Sequence, residues 1–487
     1  MNKLLIICLL MLLGKDSFSQ SLVLSKTQLD KAHMAYKESA LKHRRFKHSD
    51  VEQLILRHQQ QHALDVQQIG SSVEQRSIYE LRFGVGKKVV MLWSQMHGDE
   101  PTATMALFDL FNFLEGKEDD FEEVRSLLKA HLAIHFIPML NPDGAERYTR
   151  RNAQKIDLNR DARNTATPEG KLLRARAESL KPQYGFNLHD QNIYYNVPGT
   201  QTPVTISLLA PAYNMERDIN EVRGNAMKII VGMEKLLQDY IPGAVAKYDD
   251  EHSPRAFGDN FQKWGASTVL IESGAFKGDP EKQEIRKLNF AIILNALVQI
   301  AQGSYEQYDI KDYERIPFNA SQLHDVVLRN VSTVSAGLPL QVDVAIRRDE
   351  ITSGDDYYSK GYVEDLGDLK EFYGYDDLDA TGLSLSYGQI YPTTFRHYSE
   401  LTADVIFGLL KQGYSTVIVR EQEQQKTLRL PVRIVHQPTE QRHATGLSLG
   451  QEATFFLKKD NEFRYAIING YLIDLSGNLP DAFNGIK

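Results

Sequence analysis

The stretch "SQMHGDEPTAT", Ser94 to Thr104, sets a histidine and a glutamate three residues apart directly after the apolar run "VVML" at Val89–Leu92. A short β-branched run ending in such a pair reads as a buried strand that enters a turn carrying polar side chains. The adjoining segment "PTATMALFDLFNFLEG" reads as a helix. Pro101 suits its opening turn, and Met105, Phe108, Leu110 and Phe113 recur at helical intervals, so Glu100 falls at the helix start. The spacing alone does not make a site, because a chain with 14 histidines is expected to hold roughly one H-x-x-E match by chance. A second match, "HYSE" at His397 to Glu400, is indeed present. The two are separated by their company.

From about Leu22 to Gly303 helical and strand-like segments alternate, as in an α/β domain. The strand candidates are "KKVVMLW", "AHLAIHFIPML", "YGFNL" and "ASTVLIE"; the longer helical candidates include "EVRGNAMKIIVGMEKLLQDY" and "EKQEIRKLNFAIILNALVQIAQG". Polar residues come after each strand in turn. His97 and Glu100 follow the first, "NPDG" at Asn141–Gly144 the second, His189 ends the third and Glu272 ends the fourth. Open α/β sheets place ligands at that edge. The pair at His397 lies in a later region with no such neighbours.

Two histidines and a glutamate leave one position of a tetrahedral zinc site open for water, and the proton released there needs an acceptor, for which Glu272 is the candidate. Between these elements lies "RYTRRNAQKIDLNRDAR", in which Arg150, Arg151, Asn159 and Arg160 can face an anion. The order "HGDE", "NPDG", "TRRNAQKIDLNRD", "NLHDQ" and "VLIESG" resembles the zinc metallocarboxypeptidases of the carboxypeptidase A type, the funnelins, over about Leu22 to Gly303. The resemblance implies a mixed central sheet flanked by helices, with one zinc ion held by His97, Glu100 and His189. Glu272 is then the general base, and Asn159 and Arg160 hold the substrate's terminal carboxylate. Arg150 stabilises the oxyanion, with Arg151 as the alternative, and Tyr248 answers to a mobile tyrosine ahead of the base. Arg255 and Phe257 fall in the segment expected to approach the side-chain pocket.

The resemblance also has departures. "HGDE" is closer to bacterial enzymes acting on peptidoglycan stem peptides or acyl-amino acids than to digestive members. Lys155 replaces a common glycine, "NRD" replaces "NRN", and Asp190 stands where digestive members have serine. The expected function is hydrolysis of C-terminal amide bonds of peptides. The alternatives are a zinc amidase or deacylase on muropeptides or N-acyl amino acids, and, from another class, a non-catalytic surface binding protein.

Composition bounds these readings. At 487 residues, 42% hydrophobic and 25% charged, the chain is globular and long enough for two or three domains, and a formal charge of −8 does not favour nucleic acid. The opening "MNKLLIICLLMLLGKDSFSQ" reads as a signal peptide over residues 1–19, too short to span a bilayer, so the mature protein is expected to be exported (periplasmic or extracellular) with no stable membrane insertion. Its Cys8 is the single cysteine, which leaves any metal to His, Asp or Glu. Residues 20–304 are expected to form the catalytic domain. Residues 319–487, with short strands such as "LPLQVDVAI" and "YSTVIVRE" and no long helical periodicity, are expected to form a β-rich accessory region, divided near His436 if it is in two pieces.

Overall fold

A computed structural model describes residues 22–335, 337–421, 427–437, 446–479, 483 and 485–486. Residues 1–19, read above as a signal peptide, lie outside the described residues. Among those described, no helix is long and apolar enough to cross a membrane.

The first half is organised by one eight-stranded sheet. Its strands are β1 (Asp65–Ser71), β2 (Ser77–Phe83), β3 (Lys88–Ser94), β4 (Leu132–Ile137), β5 (Tyr184–Asp190), β6 (Ile206–Leu209), β7 (Val245–Lys247) and β8 (Ser267–Ser273), in the order β1-β2-β4-β3-β5-β8-β6-β7. The central four, β4-β3-β5-β8, are parallel; β1 and β2 pair antiparallel with each other, β2 pairs antiparallel with β4, and β6 pairs antiparallel with β8 but parallel with β7. Parallel strands need helical crossovers, and these cover both faces, which is why the central strands read as unbroken apolar runs. Along β3 the alternation is visible. Val90 and Leu92 join the larger core, whereas Met91 and Trp93 join a second core on the opposite face.

The helices are α1 (Lys26–Tyr36), α2 (His48–Gln61), α3 (Thr102–Glu115), α4 (Glu122–His131), α5 (Pro142–Arg147), α6 (Pro168–Leu180), α7 (Glu221–Tyr240), α8 (Phe257–Lys263) and α9 (Gln283–Gln302). α3, α7 and α9 build the larger core, while α6 and α8 cover the other face, where Phe261 stacks on Trp93 at 4.1 Å between centroids. Arg286 of α9, fully buried, pairs with Asp109 of α3 and donates to the Glu38 carbonyl at 2.8 Å, closing the N-terminal segment onto the core. Tyr305, Tyr313 and Ile316 join this core, so the first body runs past the expected end at 304.

The second half is the expected β-rich region. Long strands β9 (Leu323–Ser335), β10 (Leu338–Ser353) and β11 (Asp356–Gly367) form an antiparallel set, and β12 (Tyr373–Asp379) lies parallel to β9. Strands on both sides of residue 436 join in this one sheet, since Ser384–Ser386 pairs with Phe456–Lys458. A division there is therefore not how the sheet is built. The region also holds the helix Ala403–Lys411, whose Ile406, Leu409 and Leu410 pack into a local core.

His324 of β9 is buried at 3% exposure with neither ring nitrogen hydrogen-bonded among the described residues. Burial, aided by the Arg347 charge, lowers its pKa from 6.5 to about 4. A neutral ring in the fold and a protonatable one in the unfolded chain make stability fall as pH drops from about 6.5 to about 4. Thermal melts of the wild type and His324→Leu across that range should show a shallower acid loss in the variant. Parallel curves would contradict this account.

Candidate metal centre

β3, β5 and β8 lie side by side, and the chain turns toward β4 on one side of β3 and reaches β5 on the other. This is the reversal point at which open sheets leave a crevice beyond the strand ends. His97 sits in the turn after β3, His189 is next to last in β5, and the parallel register sets Glu272 of β8 opposite His189.

The turn is shaped by close packing. A Cβ on Gly98 would lie 2.0 Å from the Gly144 carbonyl carbon and 2.2 Å from the Ala145 nitrogen, so the glycine of "HGDE" is required by the backbone of "NPDG". Asn141 fastens the same junction. Its amide oxygen caps α5 through the Gly144 N–H at 2.9 Å, and its amide nitrogen donates to the carbonyls of Met96 at 3.1 Å and Arg150 at 3.4 Å. Asp143 faces elsewhere, accepting from Ser72 and Arg76. "NPDG" is therefore scaffold, and none of its residues lines the cavity into which the ligands open.

Glu100 Oε1 lies 2.7 Å from His97 Nδ1, Glu100 Oε2 lies 2.7 Å from His189 Nδ1, and the two Nδ1 atoms are 3.1 Å apart. These three residues are the one group among the described residues whose donor atoms converge closely enough to hold a metal ion. His97 Nε2 lies 3.1 Å from Asp157 Oδ1. A proton donated there leaves Nδ1 with a free lone pair, the tautomer a ligand needs. His189 Nε2 is buried and has no partner among the described residues, so the ring's polar contacts are all made through Nδ1. A nitrogen–oxygen donor set of this kind, without sulfur, fits zinc.

The electrostatics follow from burial. Burial opposes the charge on Glu100, but His97 and His189 outweigh it and hold the carboxyl far below its usual range. Burial likewise disfavours the His97 imidazolium, yet Glu100 and Asp157 raise its pKa to about 9. Glu272 is pushed well up by burial and then by the charge of Glu100.

These groups open into a cavity of about 610 Å³ that also carries Arg150, Asn159, Arg160, Tyr195, Tyr248 and Arg255. Arg150 Nη1 reaches His97 Nδ1 and Glu100 Oε1, both at 3.1 Å, and its Nε binds Asp157 Oδ2 at 3.1 Å. Arg151 is exposed, donates to the Lys155 carbonyl and does not line the cavity. Asn159 Oδ1 accepts the Phe257 N–H at 2.9 Å, which leaves the amide nitrogen as a donor beside Arg160. Phe257 itself is fully buried in the second core, so of the two side chains expected near the pocket only Arg255 reaches it. The Asp190 carboxylate turns to Thr102 at 2.6 Å and Lys282 at 3.0 Å.

Asp157 is the residue that the sequence left unassigned. Its carboxylate serves His97 and Arg150 at once. Burial opposes ionisation, but those two partners hold it well below the usual range. Nothing in a run of alternating charges marks it out, because its partner histidine lies 60 residues away.

Residues 53–191 match the zinc carboxypeptidase family, a segment that includes the three converging donors, Arg150, Asn159 and Arg160. Over that segment the chain resembles the same family as its motif order does. The chain is 31% identical over 125 residues to an uncharacterized protein of Zymomonas mobilis and 29% identical over 115 residues to carboxypeptidase SOL1 of Arabidopsis thaliana. It spans 32% and 23% of those relatives' lengths. Among solved structures, a metallo-carboxypeptidase from Burkholderia cenocepacia aligns with TM-score 0.44 at 18% identity, covering 53% of this chain and 70% of that one. Carboxypeptidase A from Helicoverpa armigera aligns with TM-score 0.42 at 17% identity, covering 58% and 81%.

Removing the Asp157 carboxylate should free the His97 ring. In Asp157→Ala, zinc affinity measured by chelator competition is expected to fall about 10- to 100-fold. An unchanged affinity would show that the ring needs no such partner.

Proposed function

We propose that this chain is an exported zinc metallocarboxypeptidase that removes residues from the free C-terminal end of peptides. The carrying observation is the convergence of His97, Glu100 and His189 in one cavity with Glu272 and the Asn159–Arg160 pair. Zinc bound by the three ligands supplies Lewis acidity toward the scissile carbonyl and acidifies water.

The remaining work falls to side chains. Asn159 and Arg160 take the terminal carboxylate, which restricts cleavage to the last amide bond. Glu272, kept basic by burial and the nearby Glu100 charge, accepts the proton of the attacking water and passes it to the leaving amine. Arg150 directs its guanidinium toward the same point as the ligands and stabilises the developing oxyanion. Tyr248, half-buried on the cavity wall, closes against the substrate. Export rests on the leader-like residues 1–19. Peptidoglycan stem peptides and N-acyl amino acids present the same carboxylate and amide to these groups, and a peptide library alongside muropeptides separates the substrates. A purely binding role leaves no reason for the ligands and the base to meet.

Glu272→Gln should keep zinc at the wild-type level while turnover falls by at least about 10²- to 10⁴-fold. Metal analysis and mass spectrometry of a digested peptide library read both quantities, and normal turnover would remove Glu272 from the mechanism. Arg160→Ala should raise KM about 10- to 100-fold for free-carboxylate peptides. C-terminally amidated analogues should be cleaved poorly by wild type and variant alike. Equal KM for the two enzymes on free-carboxylate peptides would place the anchor elsewhere.

A further inference from the structure

Among the described residues, the cavity takes its lining from between His97 and Glu272, and none of it from the β-rich region. The β-rich region nonetheless grips the loop that leaves β5 just after His189. Asn196 and Ala320 exchange backbone hydrogen bonds at 2.8 and 2.9 Å, and the Leu323 N–H donates to the Tyr194 carbonyl at 3.2 Å. Tyr375 donates through its hydroxyl to the Ile193 carbonyl.

Tyr194 is the side chain at the centre of this grip. It is 7% exposed, and its hydroxyl donates to Asp325 Oδ2 of β9 at 2.5 Å. Asp325, 3% exposed, also takes the Arg348 backbone N–H at 2.7 Å and its Nε at 3.0 Å, and the Arg347 guanidinium lies 4.5 Å from the Tyr194 ring centre. The next residue, Tyr195, lines the cavity and meets Tyr248 edge to face, 5.7 Å between centroids and 74° between planes. Gln191 and Asn192 of the same loop line it too.

A second attachment involves the segment that leads to Arg150. Arg44 and Arg45 pair with Glu350 of β10 and pack over Tyr357 of β11. They also pack over Tyr148, whose hydroxyl accepts from Arg44 at 2.7 Å, two positions before Arg150.

We propose that Tyr194 is a positioning residue through which the β-rich region holds Tyr195 against Tyr248 and so fixes the substrate-binding wall of the cavity. The kinetic part of this inference rests on the carboxypeptidase reading; the structural part does not. A charge-assisted hydrogen bond from a buried hydroxyl to a carboxylate fixes the loop more firmly than backbone contacts alone, and the Asp325–Arg348 pair holds the acceptor in place. Through Tyr194 the region thus acts on the loop that carries Tyr195, while none of its own described residues lines the cavity.

Tyr194→Phe keeps the ring and its contact with Arg347 and removes only the hydroxyl. Two measurements on the zinc-loaded full chain test it. Amide hydrogen exchange over residues 191–197 should quicken about three- to tenfold, and KM for cleaved peptides should rise by a similar factor while kcat stays within about twofold. Asp325→Asn should move both in the same direction and serves if Tyr194→Phe folds poorly. A lowered melting temperature with unchanged exchange and unchanged KM marks the contact as merely structural and overturns the proposal. If the wild type cleaves no peptide, the functional reading fails by itself and exchange decides: faster exchange in the variant upholds the positioning role, and unchanged exchange overturns it.

Discussion

One carboxylate joins two strands of the central sheet. Glu100 meets His97 through one oxygen and His189 through the other, each at 2.7 Å, although the two histidines lie 92 residues apart. Three such donors buried together are costly unless a cation or protons balance them, because each loses its hydration. The geometry is set by the parallel pairing of β3, β5 and β8, in which a one-residue slip would turn His189 or Glu272 to the opposite face. Both cores, one on each side of the sheet, make such a slip expensive.

Around this centre the polar groups are shared. Asp157 orients His97 and anchors Arg150, so the ligand's tautomer and the position of the cation that faces it depend on one carboxyl. Asn159 is oriented by the backbone of Phe257, whose side chain is committed to the core beside Trp93. The Asn159 side chain is thereby coupled to the packing of α8. Gly98 and Asn141 do the same for the turn after β3 by allowing, then fastening, the close approach of α5.

The β-rich half is joined to the same loops. It holds the segment after β5 through Tyr194 and the segment before Arg150 through Arg44, Arg45 and Tyr148, so the chain just after His189 and the chain leading to Arg150 both rest on it. Its sheet is continuous across residue 436 because the short strand Ser384–Ser386 pairs with β9 at Ser332 on one side and with Phe456–Lys458 on the other.

Much of this was legible in one dimension. The four central strands, the three long helices α3, α7 and α9, and the β-rich second half announce themselves by periodicity, since buried parallel strands and amphipathic helices must carry apolar residues in runs or at helical spacing. β6 and β7, of four and three residues, carry too little pattern to stand out. The motif order placed His97, Glu100, His189 and Glu272 at strand ends, and a sheet turns that order directly into proximity. It preferred Arg150 to Arg151 by spacing and kept the second as the alternative; neighbouring side chains diverge, and the fold shows that Arg150 reaches His97 and Glu100 while Arg151 bonds to the Lys155 carbonyl. Nor could it mark Asp157 or Tyr194, whose partners are distant in sequence and whose residue types are common on any surface. The sequence by itself determined which strands form and which end of the sheet carries the chemistry, for those are local patterns. Tertiary structure decided which of many polar side chains meet there, because hydrogen bonds and ion pairs depend on separations of a few ångströms that no spacing along the chain encodes.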